Sequence, residues 1–571
     1  MRRSQLTQAF GVTTPAEPSD RHAPKNFDVP FLSECGETPV ERGPSDDRAP
    51  KDEEMSKSDY GKQGSVFLIT SNGETIRLPI PSRSPNDPLT WSPLKTFLFY
   101  FSMSVFTTIG LIQVQGTSLL LHTLESEYSP EEFAPLRLDV LSSVPSLFWG
   151  IGALIWVPLS MAIGRRPVFL LCSIILTLST LMAAFSQGFY THLAARCLQG
   201  IAGSISPSTM ILMILDVTFI HQRPRTIALY WCICNAMANV GLAFTPYIVT
   251  AGGSWRAFYW VWLGPCVLTI ILALVWSPET YFKRPPMAFD GHIVAQSESG
   301  KVTVYNSWDE VPGGKPMPHE PQVWRSSTLL RNILFWNRTT TGGWPAMKAF
   351  PRQILICTIN PLILWVLILN AFVFGGMIVT CATYVSLLMA PPYNFTFHEI
   401  GLVKFSPFIG ALLAFPASGI LTSWVTKILA TRNRGVHEPE HYLPSFILPV
   451  VTSSISLALF GIAAEREWNW RWILFFVGLD YFSAISMFTS NTLWITEAFP
   501  RWAGAAVTIV GAGGYALSFV LGSTIVPWIK SQGIGNTYVE LGILSWLVGL
   551  VGFPVNFWGK RFREYIYSKW D

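Results

Sequence analysis

The sequence predicts an all-α membrane protein whose twelve transmembrane helices form two pseudo-symmetric six-helix bundles. Of its 571 residues, 50% are hydrophobic and only 13% are charged, which is roughly half the charge of an ordinary soluble domain. Apolar runs of about 20 residues, the length that a helix needs to cross hydrocarbon, follow one another from residue 95 onward. A polar stretch, residues 278–356, divides these runs into two sets of six.

Composition also excludes several classes of function. So few charged side chains cannot cover the polar surface that a soluble enzyme of this length needs. The net charge of +4 is small and scattered, which argues against a nucleic-acid partner. The sequence contains no glycine-rich phosphate loop ending in Lys-Ser or Lys-Thr, which argues against ATP-driven pumping. The expected surroundings are therefore the lipid bilayer. No cofactor is expected, and the expected energy source is a proton gradient.

The chain divides into five predicted segments. Residues 1–94 are rich in proline, serine and charged residues without a sustained apolar period, which predicts a disordered cytoplasmic tail. Residues 95–277 and 357–558 hold the two bundles, with a cytoplasmic loop at 278–356 and a cytoplasmic C-terminal tail at 559–571. The predicted spans, numbered first to twelfth below, are 96–121, 138–162, 167–188, 190–215, 226–249, 257–277, 357–388, 399–425, 443–463, 472–496, 503–529 and 538–558.

The distribution of lysine and arginine predicts that both termini are cytoplasmic. In that orientation the short inner loops and the C-terminal tail carry twelve basic residues and the outer loops carry five, as the positive-inside rule requires. The first outer loop is acidic instead, with Glu125, Glu127, Glu131 and Glu132. We expect a multi-pass protein of the plasma membrane, with the vacuolar membrane as the alternative.

Two similar stretches suggest that the halves arose by duplication. Ile151-Gly-Ala-Leu-Ile-Trp-Val-Pro-Leu-Ser160 in the second span matches Ile409-Gly-Ala-Leu-Leu-Ala-Phe-Pro-Ala-Ser418 in the eighth at six of ten positions. Chance similarity between two apolar helices is the alternative explanation. The match pairs the second helix of one half with the second helix of the other, as a parallel duplication predicts. Two such bundles can rock around a central cavity.

Short motifs occur in a fixed order along the chain. They are Asn86-Asp-Pro-Leu-Thr-Trp91, Pro158-Leu-Ser with Gly164-Arg165-Arg166-Pro167, Arg196-Cys-Leu-Gln199-Gly200, Ser254-Trp255-Arg256, Pro278-Glu279-Thr280-Tyr281 and Arg432-Asn433-x-Gly435-Val-x-Glu438-Pro439-Glu440. Together they resemble the motifs of the major facilitator superfamily, specifically its fungal twelve-helix drug:proton antiporter branch, over residues 86–562. The resemblance implies the major facilitator fold and a monomeric transporter that works by alternating access.

Two motifs depart from the family pattern. Met161 stands where the family has an acid before the glycine, so the usual charge network with the arginines is absent or built from other residues. The fifth-span antiporter motif is reduced to Gly241 and Pro246. Because that motif is associated with export, its reduction weakens the prediction of direction.

The gating residues implied by the resemblance are Gly164, Arg165, Arg166, Gly241 and Pro246. Arg165 and Arg166 can bridge to neighbouring helix ends and hold the inward-closed state. The alternative is that they only anchor the loop on the positive side of the membrane. Five prolines are expected to kink their helices, namely Pro158, Pro246, Pro361, Pro407 and Pro416.

Three charged residues lie well inside predicted spans, at least five residues from either end, where a charge is costly unless it is paired or faces water. We expect Arg196, Asp480 and Lys404 to face a shared cavity, with Arg196 and Asp480 on opposite bundles. A carboxyl group withdrawn from water holds a proton more readily, so Asp480 is the candidate carrier of the coupled proton. The alternatives are a static ion pair between helices and, for Lys404, extension of its ammonium group to the outer surface.

The first span has no acid but carries a neutral polar seam that includes Gln113 and Gln115. These side chains suit hydrogen bonding to a substrate, and polar contacts between helices are the alternative. Aromatic residues that can line an apolar cavity are Trp149, Trp156, Tyr230, Trp231, Phe244, Tyr247, Tyr384, Tyr481, Phe482 and Trp494. No metal site is expected, because Pro439 disrupts the helix that the spacing of His437 and His441 would need.

These features predict a proton-coupled secondary transporter and not an enzyme. The leading hypothesis is efflux of a small organic molecule such as a secondary metabolite, toxin or drug. The reduced fifth-span motif and the basic residues Arg196 and Lys404 leave proton-symport uptake of a nutrient or small organic ion as the alternative. A membrane sensor on the same scaffold, without transport, is a third possibility that the intramembrane charges disfavour.

Overall fold

The computed structural model describes residues 66–68, 75, 78–79, 87–282, 287–289, 292–296, 302–305, 343–433 and 435–570. Within these ranges, 11 helices are long and apolar enough to cross a membrane. The fold is that of an all-α membrane protein, as the sequence predicts. Most of the predicted tail at 1–94 and of the predicted loop at 278–356 lies outside the described residues.

Within residues 87–282, which the structure describes, nine α-helices form the N-terminal half. They are α1 (Pro93–Glu125), α2 (Pro130–Phe133), α3 (Val140–Ile163), α4 (Arg165–Ala184), α5 (Phe189–Gly203), α6 (Thr209–Val217), α7 (Arg223–Ala243), α8 (Thr245–Gly252) and α9 (Arg256–Trp276). Short 3-10 turns at Pro88–Thr90 and Ile220–Gln222 precede α1 and α7. The loop between the halves contributes a three-stranded antiparallel sheet of β2 (Met287–Phe289), β3 (His292–Gln296) and β4 (Val302–Tyr305), in that order.

The C-terminal half begins with α10, which runs along the end of the bundle before the seventh span. Its helices are α10 (Gly343–Ile359), α11 (Pro361–Met389), α12 (Phe397–Val403), α13 (Phe405–Phe415), α14 (Thr422–Arg432), α15 (Ile447–Glu465), α16 (Trp470–Ala498), α17 (Ala503–Val507), α18 (Gly514–Gln532), α19 (Ile534–Leu550) and α20 (Gly552–Trp570). Single π-helical turns at Pro416–Leu421 and Thr508–Gly513 interrupt the eighth and eleventh spans.

Prolines set most of the helix breaks, because proline lacks the N–H that a helix interior needs and its ring crowds the carbonyl four residues before. The fifth span breaks at Phe244, two residues before Pro246, and the seventh begins anew at Pro361 after Asn360. The eighth span breaks at Lys404 before Pro407 and again at Pro416. Pro158 differs from the expectation, since α3 continues through it to Ile163.

The fourth predicted span, residues 190–215, is divided into two short helices. Residues 204–208 form turns between α5 and α6. Pro207 cannot donate a backbone hydrogen bond, and the Ser208 hydroxyl donates to the Ser204 carbonyl at 2.6 Å. A single long helix is therefore unfavourable here, although the chain still crosses the bundle.

The two similar stretches occupy equivalent places in the two halves. A Cβ atom at Gly152 of the second span would collide with Ile201 of the fourth. A Cβ atom at Gly410 of the eighth span would likewise collide with Gly478 of the tenth. Both glycines therefore permit close helix packing of the kind that membrane proteins favour. The duplication inferred from the sequence accounts for this equivalence.

The two ends of the molecule are defined by their loops. We name one end of the helical bundles the terminal face. It is the end with the helix junctions near residues 164, 218–222, 277–282, 433–446 and 499–502. It also carries β1 (Val66–Phe67), which pairs antiparallel with β5 (Val436–His437). The opposite face carries the loops 126–139, 253–255, 390–396 and 466–469. β1 lies within the stretch predicted as a disordered tail and is ordered here by this pairing.

The last helix, α20, lies along the terminal face instead of ending at residue 558 as predicted. The Arg563 guanidinium donates to both carboxylate oxygens of Glu440, at 3.0 and 3.1 Å, and Lys560 pairs with Glu438. Tyr567 stacks on Trp502 with ring centroids 5.1 Å apart. These contacts extend the helix through most of the predicted C-terminal tail, 559–571.

Candidate functional site

Two acids of the N-terminal bundle hold Arg165 and Arg166 on the terminal face. Arg165 forms an ion pair with Asp216, which lies near the end of the fourth span. The backbone N–H groups of Arg165 and Arg166 donate to the carboxylate of Glu279 at 3.0 and 3.2 Å, and the Arg166 side chain donates to the Leu274 carbonyl at 2.9 Å. The third span is therefore tied to the ends of the fourth and sixth.

The contacts of Arg165 and Arg166 with Asp216 and Glu279 form a charge network without an acid at position 161, where this chain has Met161. Gly164 makes the turn between α3 and α4 with φ of +103°, a conformation that residues with a Cβ adopt only under strain. The turn aims successive backbone N–H groups at Glu279. Asp216 is missing from the residues singled out in the sequence, although it is an acid at the end of an apolar run.

A second cluster joins the two bundles at the terminal face and centres on Glu497. Arg223 of the fifth span forms an ion pair with Glu497 of the tenth at 3.3 Å. His437 Nε2 lies 2.8 Å from the other carboxylate oxygen, and the Tyr442 hydroxyl donates at 3.3 Å. The sequence predicted neither Arg223 nor Glu497 as a gating residue, because they are 274 positions apart.

Arg196 is enclosed in the N-terminal bundle with 0% of its surface exposed. Its guanidinium donates to the Leu141 carbonyl at 3.0 Å and the Val114 carbonyl at 2.7 Å. It also donates to the Gln113 carbonyl and to Gln199 Oε1, both at 2.5 Å. The structure differs here from the expectation of a cavity-facing charge, because these uncharged acceptors from the first, second and fourth spans satisfy the guanidinium.

His192 extends this polar cluster toward the opposite face and is absent from the predicted set. Its Nε2 hydrogen-bonds with the Tyr259 hydroxyl at 2.8 Å, and Nδ1 with the Tyr128 hydroxyl at 3.4 Å. The Trp255 indole stacks on the imidazole with centroids 4.7 Å apart. A lone histidine on an apolar helix gives no sequence signal for such partners, which come from the loop between the first and second spans and from the start of the sixth span.

Asp480 and Lys404 lie in the C-terminal bundle, each with 1% of its surface exposed. Asp480 forms no ion pair in the part of the chain that the structure describes, and the side chain of Thr380 is a polar neighbour of its carboxyl group. Lys404 places its ammonium group 5.5 Å from the centre of the Tyr384 ring. Lys404 is therefore held in the protein interior instead of extending to the outer surface. Arg196 and Asp480 lie in opposite bundles as predicted but form no ion pair in the described ranges.

Gln113 and Gln115 face different neighbours because residues two apart on a helix point to different sides. Gln113 Oε1 accepts from Gln199 at 3.4 Å inside the N-terminal bundle. Gln115 Oε1 accepts from the Tyr481 hydroxyl of the tenth span at 3.1 Å. Tyr481 in turn accepts from Cys381 Sγ at 3.1 Å. The first span therefore contacts the arginine cluster through one glutamine and the Asp480 region through the other.

An aromatic layer fills the space between the bundles at mid-depth. Trp231 of the fifth span stacks on Phe488 of the tenth at 5.0 Å, and Trp149 of the second meets Tyr515 of the eleventh at 4.6 Å. Phe374 of the seventh contacts both Phe488 and Tyr515 at 5.0 and 4.5 Å. The central cavity expected between rocking bundles is occupied by these side chains in this conformation.

The fifth-span motif lies where the bundles meet near the opposite face. Gly241 packs against Ile112 and Trp262 of its own bundle. Pro246 and the backbone of Ala243 lie against Gly401 of the eighth span, and the Tyr247 ring lies 4.9 Å from His398. With the Arg223–Glu497 pair at the terminal face, these contacts make the conformation occluded.

No group of three or more His, Cys, Asp or Glu residues is arranged to hold a metal ion among the described residues. His437, which has the spacing of a metal ligand in the sequence, directs Nε2 to Glu497 instead. The rings of His437 and His441 are 5.5 Å apart. The site is therefore built from hydrogen bonds, buried charges and aromatic rings.

The profile of the Major Facilitator Superfamily matches residues 94–523, and the chain belongs to that family. An uncharacterized MFS-type transporter of Schizosaccharomyces pombe is 23% identical over 87% of this chain and 90% of its own length. Fluconazole resistance protein 1 of Saccharomyces cerevisiae is 24% identical over 82% of this chain and 78% of its own. The structure of the proton:xylose symporter XylE bound to 6-bromo-6-deoxy-D-glucose has a TM-score of 0.55 at 14% identity, covering 83% of this chain and 99% of that one. The protein is a transporter of the fungal branch.

Proposed function

We propose that the protein is a proton-coupled secondary transporter that exports a small organic molecule such as a secondary metabolite, toxin or drug. The observation that carries the proposal is the carboxyl of Asp480, which is 1% exposed and has Thr380 as a polar neighbour but forms no ion pair with a cation among the described residues. An ionised carboxylate in such a place costs several kcal/mol, whereas the protonated acid does not. The occluded conformation is therefore suited to the proton-loaded form.

The hydrogen bond between Tyr481 and Gln115, next to Asp480, links proton exchange to the movement of the bundles. Tyr481 follows Asp480 in the tenth span, and its hydroxyl donates to Gln115 of the first span. When the bundles separate on the opposite face, this bond breaks and water gains access to Asp480. Proton loss is then linked to the conformation, which is the requirement for coupling.

Export is supported by the aromatic layer and by the relatives. The rings of Trp231, Phe488 and Tyr515 suit an apolar or flat substrate once the bundles move apart. One relative carries a name that refers to fluconazole resistance. Proton-symport uptake is the second candidate, favoured by the reduced fifth-span motif at Gly241 and Pro246. A sensor without transport is the third.

The proposed orientation places the terminal face in the cytoplasm. This face carries Arg165, Arg166, Arg223 and the basic end of α20, as expected for the inner side. We place the protein in the plasma membrane, with the vacuolar membrane as the alternative, and expect a monomer whose partners are lipid, protons and the organic substrate.

Direction is tested in cells with and without the protein. Growth is measured on a panel of toxins that includes fluconazole, and uptake of radiolabelled panel compounds is measured in parallel. Sensitisation and higher accumulation on deletion support export. Loss of uptake on deletion supports symport, and unchanged growth and accumulation across the panel contradict the transport of these compounds.

Coupling is tested with Asp480→Asn, which keeps the shape of the side chain but cannot exchange a proton. In proteoliposomes, flux of a substrate identified in the growth assay is compared with and without an imposed pH gradient. We expect the variant to lose the gradient-driven component. Asp139→Asn is the control, because Asp139 is partly exposed and its carboxylate pairs only with Arg137 in the described chain. Equal gradient-driven flux in Asp480→Asn and the parent removes Asp480 from the mechanism.

A further inference from the structure

Part of the N-terminal segment is bound to the terminal face; we name residues 66–68 and 78–79 the tail strap. Val66 and Phe67 pair antiparallel with His437 and Val436. The Leu68 N–H extends the pairing by donating to the Gly435 carbonyl at 2.9 Å. This end of the strap therefore holds the loop between the eighth and ninth spans, which belongs to the C-terminal bundle.

The other end of the strap holds the N-terminal bundle. The Leu78 carbonyl accepts from the Ile220 N–H at 2.7 Å, and Ile220 lies in the turn between the fourth and fifth spans. Leu68, Ile220 and Ala430 form a small buried cluster, separate from the main core, against which Leu78 packs. Leu68 thus lies against a residue of each bundle.

The strap also adjoins the ion pair that joins the bundles. His437 pairs with β1 through its backbone and approaches Glu497 through its side chain, and Glu497 binds Arg223 of the other bundle. Arg223 follows three residues after Ile220, the strap's second anchor. The strap and the ion pair therefore lie side by side at the same junction between the two bundles.

We propose that the tail strap restrains opening of the terminal face. Separation of the bundles there moves Ile220 away from Ala430 and the 435–437 segment. Because Leu68 is buried in one cluster with Ile220 and Ala430, this separation disrupts the cluster that the strap completes. Release of the strap therefore shifts the conformational equilibrium toward the state that is open at the terminal face. The proposal depends on alternating access and on neither the substrate nor the direction of transport.

The test uses truncations that differ in whether they retain the strap. Deletion of residues 1–79 removes it, whereas deletion of residues 1–55 leaves it in place. Leu68→Asp releases the strap within the full chain by placing a charge in the buried cluster, and Leu68→Ile is its conservative control. Each variant carries spin labels on exposed Arg225 of the N-terminal bundle and Arg561 of the C-terminal bundle. Pulsed electron spin resonance then measures the distance between the labels.

We expect the long-distance population to rise at least about threefold in the 1–79 deletion and in Leu68→Asp, since breaking the hydrogen bonds of the strap biases the equilibrium toward the open state. The 1–55 deletion and Leu68→Ile should match the parent. A 1–79 deletion that elutes as a single monodisperse species and has the same distance distribution as the 1–55 deletion overturns the proposal. This result leaves the assignment of Asp480 unaffected, because that assignment is measured by gradient-driven flux.

Discussion

Tyr481→Phe is expected to favour opening of the opposite face. The substitution keeps the ring and removes one hydroxyl, which donates to Gln115 of the other bundle at 3.1 Å. Tyr481 is otherwise buried, so its packing is unchanged. The variant therefore removes one hydrogen bond between the bundles, to Gln115, and one within the C-terminal bundle, accepted from Cys381. Only the bond to Gln115 is broken when the bundles separate.

The size of the effect follows from the kind of bond. A neutral hydrogen bond contributes about 0.5–1.5 kcal/mol net to a folded protein. At about 1.4 kcal/mol for each factor of ten, its loss shifts the equilibrium by roughly two- to tenfold. In the variant, Gln115 Oε1 can bond to water once the face opens, which adds to the bias toward the open state.

The assay measures distances between spin labels on the opposite face, at exposed Gln187 of the N-terminal bundle and exposed Arg466 of the C-terminal bundle. Tyr538→Phe is the matched control. Its hydroxyl donates to Thr383 at 2.8 Å, but both residues belong to the C-terminal bundle. We therefore expect a larger long-distance population for Tyr481→Phe and an unchanged one for Tyr538→Phe. Equal distributions in the two variants would refute the reasoning.

Three further substitutions have defined outcomes. Glu497→Gln removes the charge that binds Arg223 and should increase terminal-face distances by spin-label measurement; an unchanged distribution would show that this pair does not hold the face closed. Arg196→Lys offers three donors to four acceptors and should cost about 1.5–3 kcal/mol of stability, seen as earlier loss of the folded monomer on heating in detergent. Gly410→Ala places a Cβ against Gly478 and should destabilise by about 1–3 kcal/mol in the same assay; parental stability would contradict the close packing.

The sequence predicted the membrane spans well because their signal is local. A run of apolar residues determines a span by itself, since each backbone group in lipid must be paired within its own segment. The prolines at 246, 361, 407 and 416 likewise act on neighbouring residues, and the helix breaks lie close to them. The division into two halves and the duplicated glycines, Gly152 and Gly410, were also accessible from pattern alone.

Contacts between residues far apart in the chain could not be predicted from the sequence. Arg196 is satisfied mainly by main-chain carbonyls, which every residue possesses, so no residue type in the sequence indicates its partners. Asp216 compensates for Met161 from the fourth span, and only the fold brings the two regions together. The division of the fourth span was missed although Ser204, Ser206, Pro207 and Ser208 interrupt the apolar run, because the apolar residues on both sides together have the length of one span.

The attachment of α20 to the terminal face has a practical consequence for protein engineering. A chain shortened before Lys560 deprives Glu438 and Glu440 of their cations. A fluorescent protein joined directly to Asp571 would meet the surface on which Tyr567 and Trp502 stack. Fusions at this end therefore need a flexible spacer after the complete helix if the parent's behaviour is to be preserved.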